Sequence, residues 1–193
     1  MRFSTHRRRC IPLVFVLLAP LSALAQSVTI LGDNSAAREC FFAAQLAVQM
    51  QTTSRSEVQT CSDALLGEIL GLRDRAATFI NRGILYVALE DYQSAVKDYA
   101  AAMRLYPEFG AIYVNRGNLY FLGEQYDTAI QEYDKALELG LKQESVAHLN
   151  RGMAYEKLGK FQQAEADYRQ ALALVPDWHV AKSKLERVLQ KIN

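Results

Sequence analysis

Residues 76–109 read AATFINRGILYVALEDYQSAVKDYAAAMRLYPEF, residues 110–144 read GAIYVNRGNLYFLGEQYDTAIQEYDKALELGLKQE, and residues 145–178 read SVAHLNRGMAYEKLGKFQQAEADYRQALALVPDW. Laid under one another they coincide, and self-similarity at such a period marks stacked supersecondary units. Each segment carries Asn-Arg-Gly with a tyrosine three residues after the glycine: Gly83 and Tyr86, Gly117 and Tyr120, Gly152 and Tyr155. Ala95, Ala129 and Ala164 follow, then Tyr99, Tyr133 and Tyr168, then Ala102, Ala136 and Ala171. In the second half of the first segment, Tyr92, Ala95, Val96, Tyr99, Ala102 and Met103 recur at intervals of three and four, which gives one apolar helical face. A glycine inside a helical pattern costs about 1 kcal/mol against alanine. Its recurrence here predicts close backbone approach, opposite the small Ala95, Ala129 and Ala164. Glu90-Asp91, Gly123-Glu124 and Gly159-Lys160 mark the turns, so each segment reads as a pair of helices.

This pattern resembles the tetratricopeptide repeat family, whose signature is Gly and Tyr in the first helix and Ala, aromatic, Ala and Pro in the second. Pro107 and Pro176 supply the last position in the first and third segments, whereas the second has Leu141 there and one extra residue, placed in the turn LGLKQE. The resemblance implies an all-α fold, an α-solenoid of helix-turn-helix repeats at 76–109, 110–144 and 145–178. Residues 179–193 form a closing helix whose inner side, with Trp178, carries Ala181, Leu185, Val188, Leu189 and Ile192. Before the repeats, 35–75 reads as a degenerate hairpin. Ala36 to Met50 is one helix, capped by Asp33, Asn34 or Ser35; TTSRSE is the turn; Ser56 to Leu70 is the other helix.

The amino terminus has a different character. MRFSTHRRRC is basic, IPLVFVLLAPLSALA is apolar, and Ala23-Leu24-Ala25 is a small-x-small site, the three parts of a secretory signal. The apolar stretch falls short of the roughly 20 residues that span a bilayer. Cleavage after Ala25 is therefore expected, giving a soluble product outside the cytoplasm. The arginine-rich start and short mature domain suggest the periplasm. Of the 193 residues and net charge of +1, 168 residues and −3 remain after this step, so charge gives no argument for nucleic acid. No other apolar run is long enough to span a membrane. Residues 26–34 begin QSVTILG, a short tail or strand whose VTIL suits docking on a partner.

Cys10 leaves with the signal, and it does not stand at the cleavage point as a lipidated cysteine would. Cys40 and Cys61 remain, an even count that favours one disulfide in an oxidising compartment. They lie on opposite arms of the first hairpin at similar distances from its turn. A redox CxxC and a zinc site both lack their spacing.

The family resemblance implies that the first helices of successive repeats line a concave surface that receives a peptide or protein segment. The matching candidates are Asn81 and Ile84, then Asn115, Asn118 and Phe121, then Asn150 and Met153. Asn81, Asn115 and Asn150 form a ladder one repeat apart. An amide both donates and accepts, so the ladder suits the backbone of an extended peptide, or else bonds within the stack. Relatives that clamp a terminal carboxylate use Lys and Asn where this chain has Ile80 and Ile84, and Lys and Arg where it has Val146 and Asn150, so only Asn115 fits that set. Arg82, Arg116 and Arg151 form a second row, suited to an acidic partner or, more simply, to ion pairs with Asp98, Glu132 and Asp167. No catalytic motif, phosphate loop or metal-ligand spacing appears, so neither an enzyme nor a cofactor is expected. The function expected is protein or peptide binding in the cell envelope. The alternative is a structural or self-associating module, its concave face taking a neighbour's helix or QSVTILG tail.

Overall fold

Helix propensity and apolar periodicity run through the chain together, and the polypeptide turns back on itself wherever both lapse. The computed structural model describes residues 25–30 and 35–193, so the basic and apolar leader and the caps Asp33 and Asn34 lie outside the described residues. Among the described residues the order is α1 (Ser35–Met50), α2 (Arg55–Gly67), α3 (Leu72–Ala88), α4 (Tyr92–Leu105), α5 (Gly110–Leu122), α6 (Tyr126–Glu138), α7 (Glu144–Lys157), α8 (Phe161–Leu174) and α9 (His179–Ile192), with no strand. The fold is an all-α repeat solenoid.

Local chemistry sets the boundaries. The Ser54 N–H donates to Glu57 Oε2 at 2.6 Å at the start of α2, and Asp91 accepts from the Ser94 N–H at 3.1 Å at the start of α4. The first N–H groups of α1 are satisfied from a distance in sequence. Ala36 and Ala37 donate to the Glu68 carboxylate at 2.9 and 3.2 Å. That use of Glu68 coincides with α2 ending at Gly67, three residues before the end expected at Leu70. Glu68 is extended there (φ −99°, ψ 144°), which lets its side chain return to α1.

The connection from α6 to α7 takes residues 139–143, one more than 106–109 or 175–178. Gly140 absorbs the excess with φ of 75°, a left-handed value that glycine adopts without a Cβ clash.

Tyr99, Tyr133 and Tyr168, each at 1% exposure or less, anchor the repeats. The repeated glycines face these rings and not the alanines opposite which the sequence places them. A Cβ on Gly117 would lie 2.5 Å from Tyr133 Cε1, and one on Gly152 would lie 2.7 Å from Tyr168 Cε1; Gly83 stands against Tyr99 in the same way. The missing side chain therefore makes room for a flat aromatic ring from the second helix. The buried alanines let the helices close around it.

The two ends of the stack are finished differently. Ala181 and Val188 of α9 are buried, with Trp178, Leu185 and Ile192 packed on the cluster that contains Tyr133 and Tyr168. At the other end, Cys40 Sγ and Cys61 Sγ are 2.08 Å apart and join α1 to α2 with 4.8 Å between Cα atoms.

Candidate functional site

The helices α3 and α5 each present one asparagine to a non-helical stretch of the same chain. Asn81 on α3 accepts from the Val28 N–H through Oδ1 at 2.7 Å and donates through Nδ2 to the Val28 carbonyl at 2.8 Å. Asn115 on α5 repeats the arrangement with Gln26, at 3.0 Å in both directions. A carboxamide thus engages both backbone groups of one residue, as a neighbouring β-strand would. Because Asn81 and Asn115 stand one repeat apart, they take alternate residues of the segment. Both amides are buried, where an unpaired polar group would cost about 1–3 kcal/mol.

Side chains complete the seat. Gln26 Nε2 donates to the Gln143 carbonyl at 2.9 Å, just ahead of α7. Val28 packs against two apolar clusters, and Ile30 is 7% exposed among Ala37, Ala64, Leu65, Leu70 and Ala77. Arg73 donates to the Thr29 carbonyl at 3.1 Å, while its guanidinium lies 5.1 Å from the Phe109 ring centre. The segment therefore crosses the stack from the start of α7 to α1, against the order of the repeats.

The sequence of the stack is matched by two profiles of one family, each described as tetratricopeptide repeat, at residues 80–144 and 145–177. The chain belongs to the tetratricopeptide repeat family. Similar solved structures are tetratricopeptide domains as well. The one from Arabidopsis OM64 is 27% identical and covers 63% of this chain and 99% of that chain, with a TM-score of 0.59. The first such domain of Spaghetti (RPAP3), bound to the HSP90 peptide SRMEEVD, is 25% identical and covers 62% of this chain and 94% of that one, with a TM-score of 0.59. The first domain of human RPAP3 is 26% identical over 61% of this chain and 91% of that one, at 0.57. No curated protein matches the sequence.

Within these tetratricopeptide repeats two further candidate asparagines meet one another. Asn150 Nδ2 donates to Asn118 Oδ1 at 2.8 Å, and the Tyr133 hydroxyl donates to the same oxygen at 2.9 Å. These two asparagines thus bond to one another across α5 and α7. Ile84, Phe121 and Met153 are at most 9% exposed and belong to the apolar core beneath the surface. The sequence reads VTIL as a segment for docking on a partner, whereas here Val28 and Ile30 dock on their own stack, and nothing in the sequence signals that Gln143 and Arg73 contribute. Neither recurs in register, and each acts through geometry that only folding creates.

The arginine row forms the expected ion pairs. Arg82 holds Asp98 with two bonds of 2.7 and 2.8 Å, Arg116 meets Glu132 at 3.0 Å, and Arg151 spans Asp167 and Asp134 at 2.6 Å each. Burial pushes the Asp98 and Glu132 carboxyls above their usual range, against the pull of Arg82 and Arg116. One cavity of about 530 Å³ opens between α4 and α5, lined by Tyr92, Val96, Met103, Arg116, Leu119 and Tyr120 among others. Val96 is 55% exposed there, whereas Ile130, its counterpart one repeat later, is 7% exposed against the next repeat. Among the described residues no group of three His, Cys, Asp or Glu could hold a metal ion. No helix there is long and apolar enough to cross a membrane.

Proposed function

We propose that this protein is a non-catalytic scaffold of the cell envelope that holds a peptide or protein segment in extended form across α3, α5 and α7. Asn81 and Asn115 pair with the backbone of the bound segment. Ile84, Asn118, Phe121, Asn150 and Met153 shape the floor beneath them. The observation that carries this reading is the two-point pairing of Asn81 with Val28 and of Asn115 with Gln26. Such pairing recognises main chain, so it works for segments of different sequence, and side-chain seats at alternate positions add selectivity. The HSP90 peptide bound to the similar domain of Spaghetti (RPAP3) supports peptide binding as the kind of task this fold performs. Ile80, Val146 and Asn150 leave no basic clamp for a terminal carboxylate, so the binding mode differs from such a clamp. The bonded Cys40 and Cys61 favour an oxidising compartment, in keeping with cleavage after Ala25 and residence in the periplasm.

A pull-down from an envelope fraction compares the wild type with the triple variant Asn81→Ala, Asn115→Ala, Asn150→Ala. Loss of a heterologous partner without loss of helical content supports the scaffold. An unchanged set of partners overturns it, and co-purification of the protein with itself alone points to the self-associating module. That second reading has its own motive in Phe42, Leu46 and Met50, which expose a stripe on α1 at the end of the stack. Mass spectrometry of the exported chain is expected to find Gln26 as its first residue.

A further inference from the structure

We infer that residues 26–30 are a built-in competitor for the peptide site, and that the external ligand is an extended segment without charged side chains sharing their pattern: an amide side chain, then two aliphatic ones at alternate positions. This deepens the scaffold reading and rests on it. The argument starts from the completeness of the seat. Both backbone groups of Gln26 and Val28 are engaged by Asn115 and Asn81. Strand geometry turns successive side chains to opposite sides; Gln26 is 6% and Ile30 7% exposed and Thr29 is exposed, while Ser27 and Val28 are both half-buried, Val28 against apolar clusters. The inward positions therefore carry selectivity. The first reads an amide through the Gln143 carbonyl, and the last fills a socket of small and aliphatic residues.

Charge sets the class of ligand. Among the described residues the polar groups that bond the segment are two neutral carboxamides, one carbonyl and Arg73; Arg73 is paired with Asp74 at 3.2 Å and meets the segment only at its main chain. Among the described residues that bond the segment, the only cation is this paired arginine, which offers an acidic tail little attraction. An aliphatic segment finds the contacts that Val28 and Ile30 use.

The same seat cannot hold two segments, so any external segment must displace the internal one. Its apparent affinity is then reduced by the fraction of molecules in which residues 26–30 have left. The occupant is tethered by residues 31–34 to α1, which keeps its local concentration high.

The test uses the full chain and a fluorescein-labelled synthetic hexapeptide QSVTIL, read by fluorescence anisotropy. Val28→Pro removes the N–H that Asn81 accepts and weakens internal docking. It is expected to raise apparent affinity for the hexapeptide at least tenfold, which corresponds to a site about 90% self-occupied. Adding Asn81→Ala and Asn115→Ala is expected to abolish that binding. Ile30→Asp, which empties the apolar socket, gives a second route to the open form, and circular dichroism checks that each variant keeps its helices. Equal affinity of wild type and both opened variants for the hexapeptide overturns the competitor. Preference of the opened variants for SRMEEVD over QSVTIL overturns the ligand class, yet it leaves the scaffold reading standing. Envelope partners retained by the asparagine variants would instead remove the scaffold reading itself.

Discussion

At the scale of single residues, the packing of a glycine against a tyrosine ring is the most exacting contact in the stack. Tyr133 is fully buried, so its ring cannot swing away to admit a methyl group on Gly117. Gly117→Ala would gain helix propensity of about 1 kcal/mol, yet overpacking of this kind costs about 1–3 kcal/mol. The expected net result is a lowered melting temperature in thermal circular dichroism. Gly123→Ala is the control, since an added Cβ there meets nothing closer than 3.6 Å. A Gly117→Ala protein that melts no lower than wild type would show that the ring can shift. The periodicity of Gly, Tyr and Ala was readable in the sequence, as was the pairing of Arg82, Arg116 and Arg151 with acidic residues on the following helix. Which of two recurring residues faces the glycine was not readable. Ala95 and Tyr99 lie one helical turn apart on the same face, and only the crossing of the two helices selects the ring.

At the scale of elements, α9 is held by an electrostatic clasp as well as by its apolar side. Glu156 on α7 accepts from Arg187 at 2.6 and 2.9 Å, from Lys191 at 3.2 Å and from the Tyr168 hydroxyl at 3.0 Å. Burial alone pushes the Glu156 carboxyl up, but these donors outweigh it and hold the carboxyl below its usual range. A depressed folded-state value means that the contribution is complete above about pH 4.3, the unfolded value, and is lost as pH falls through the folded one. Trp178, the single tryptophan, begins α9 and reports on its docking. Its emission is expected to hold through the ordinary glutamate range and to shift red below it. Glu156→Gln should weaken docking by about 1 kcal/mol at neutral pH, because Arg187 and Lys191 are half exposed, and should flatten the acid response. An acid shift of the same size in the variant would place the titration elsewhere.

At the scale of the whole molecule, a solenoid has no single core, and each unit is stable only through its neighbours. The α1–α2 hairpin is the unit furthest from the repeat consensus, and the Cys40–Cys61 bond closes a loop with a sequence separation of 21 residues. Reduction, or Cys40→Ser with Cys61→Ser, is expected to lower stability by about 3 kcal/mol in chemical denaturation. The effect should reach further than the hairpin. Ile30 is seated on Ala37, Ala64 and Leu65, so loosening α1 and α2 removes the anchor of the docked segment. Hydrogen exchange is then expected to show the Val28 amide losing protection in the reduced protein while the Tyr133 amide keeps it. Protection at Val28 that survives reduction would separate the segment from the hairpin.

The sequence by itself determined the helices, the three repeats, the capping helix and the cysteine pair as a candidate bridge. Those features come from local periodicity and residue chemistry, which repeat at short range and leave a visible pattern. It also held the asparagine ladder, with two readings open. Among the described residues Asn81 and Asn115 pair with an extended segment of the same chain, and Asn150 bonds Asn118. Tertiary structure alone decided that the segment is the protein's own residues 25–30, that Gln143 and Arg73 help to hold it, and that the junction of α4 with α5 stays open. The reason is range. A main-chain carbonyl 117 positions from Gln26 has no signature in composition or period, and its partner is fixed only by the angle at which successive helix pairs stack.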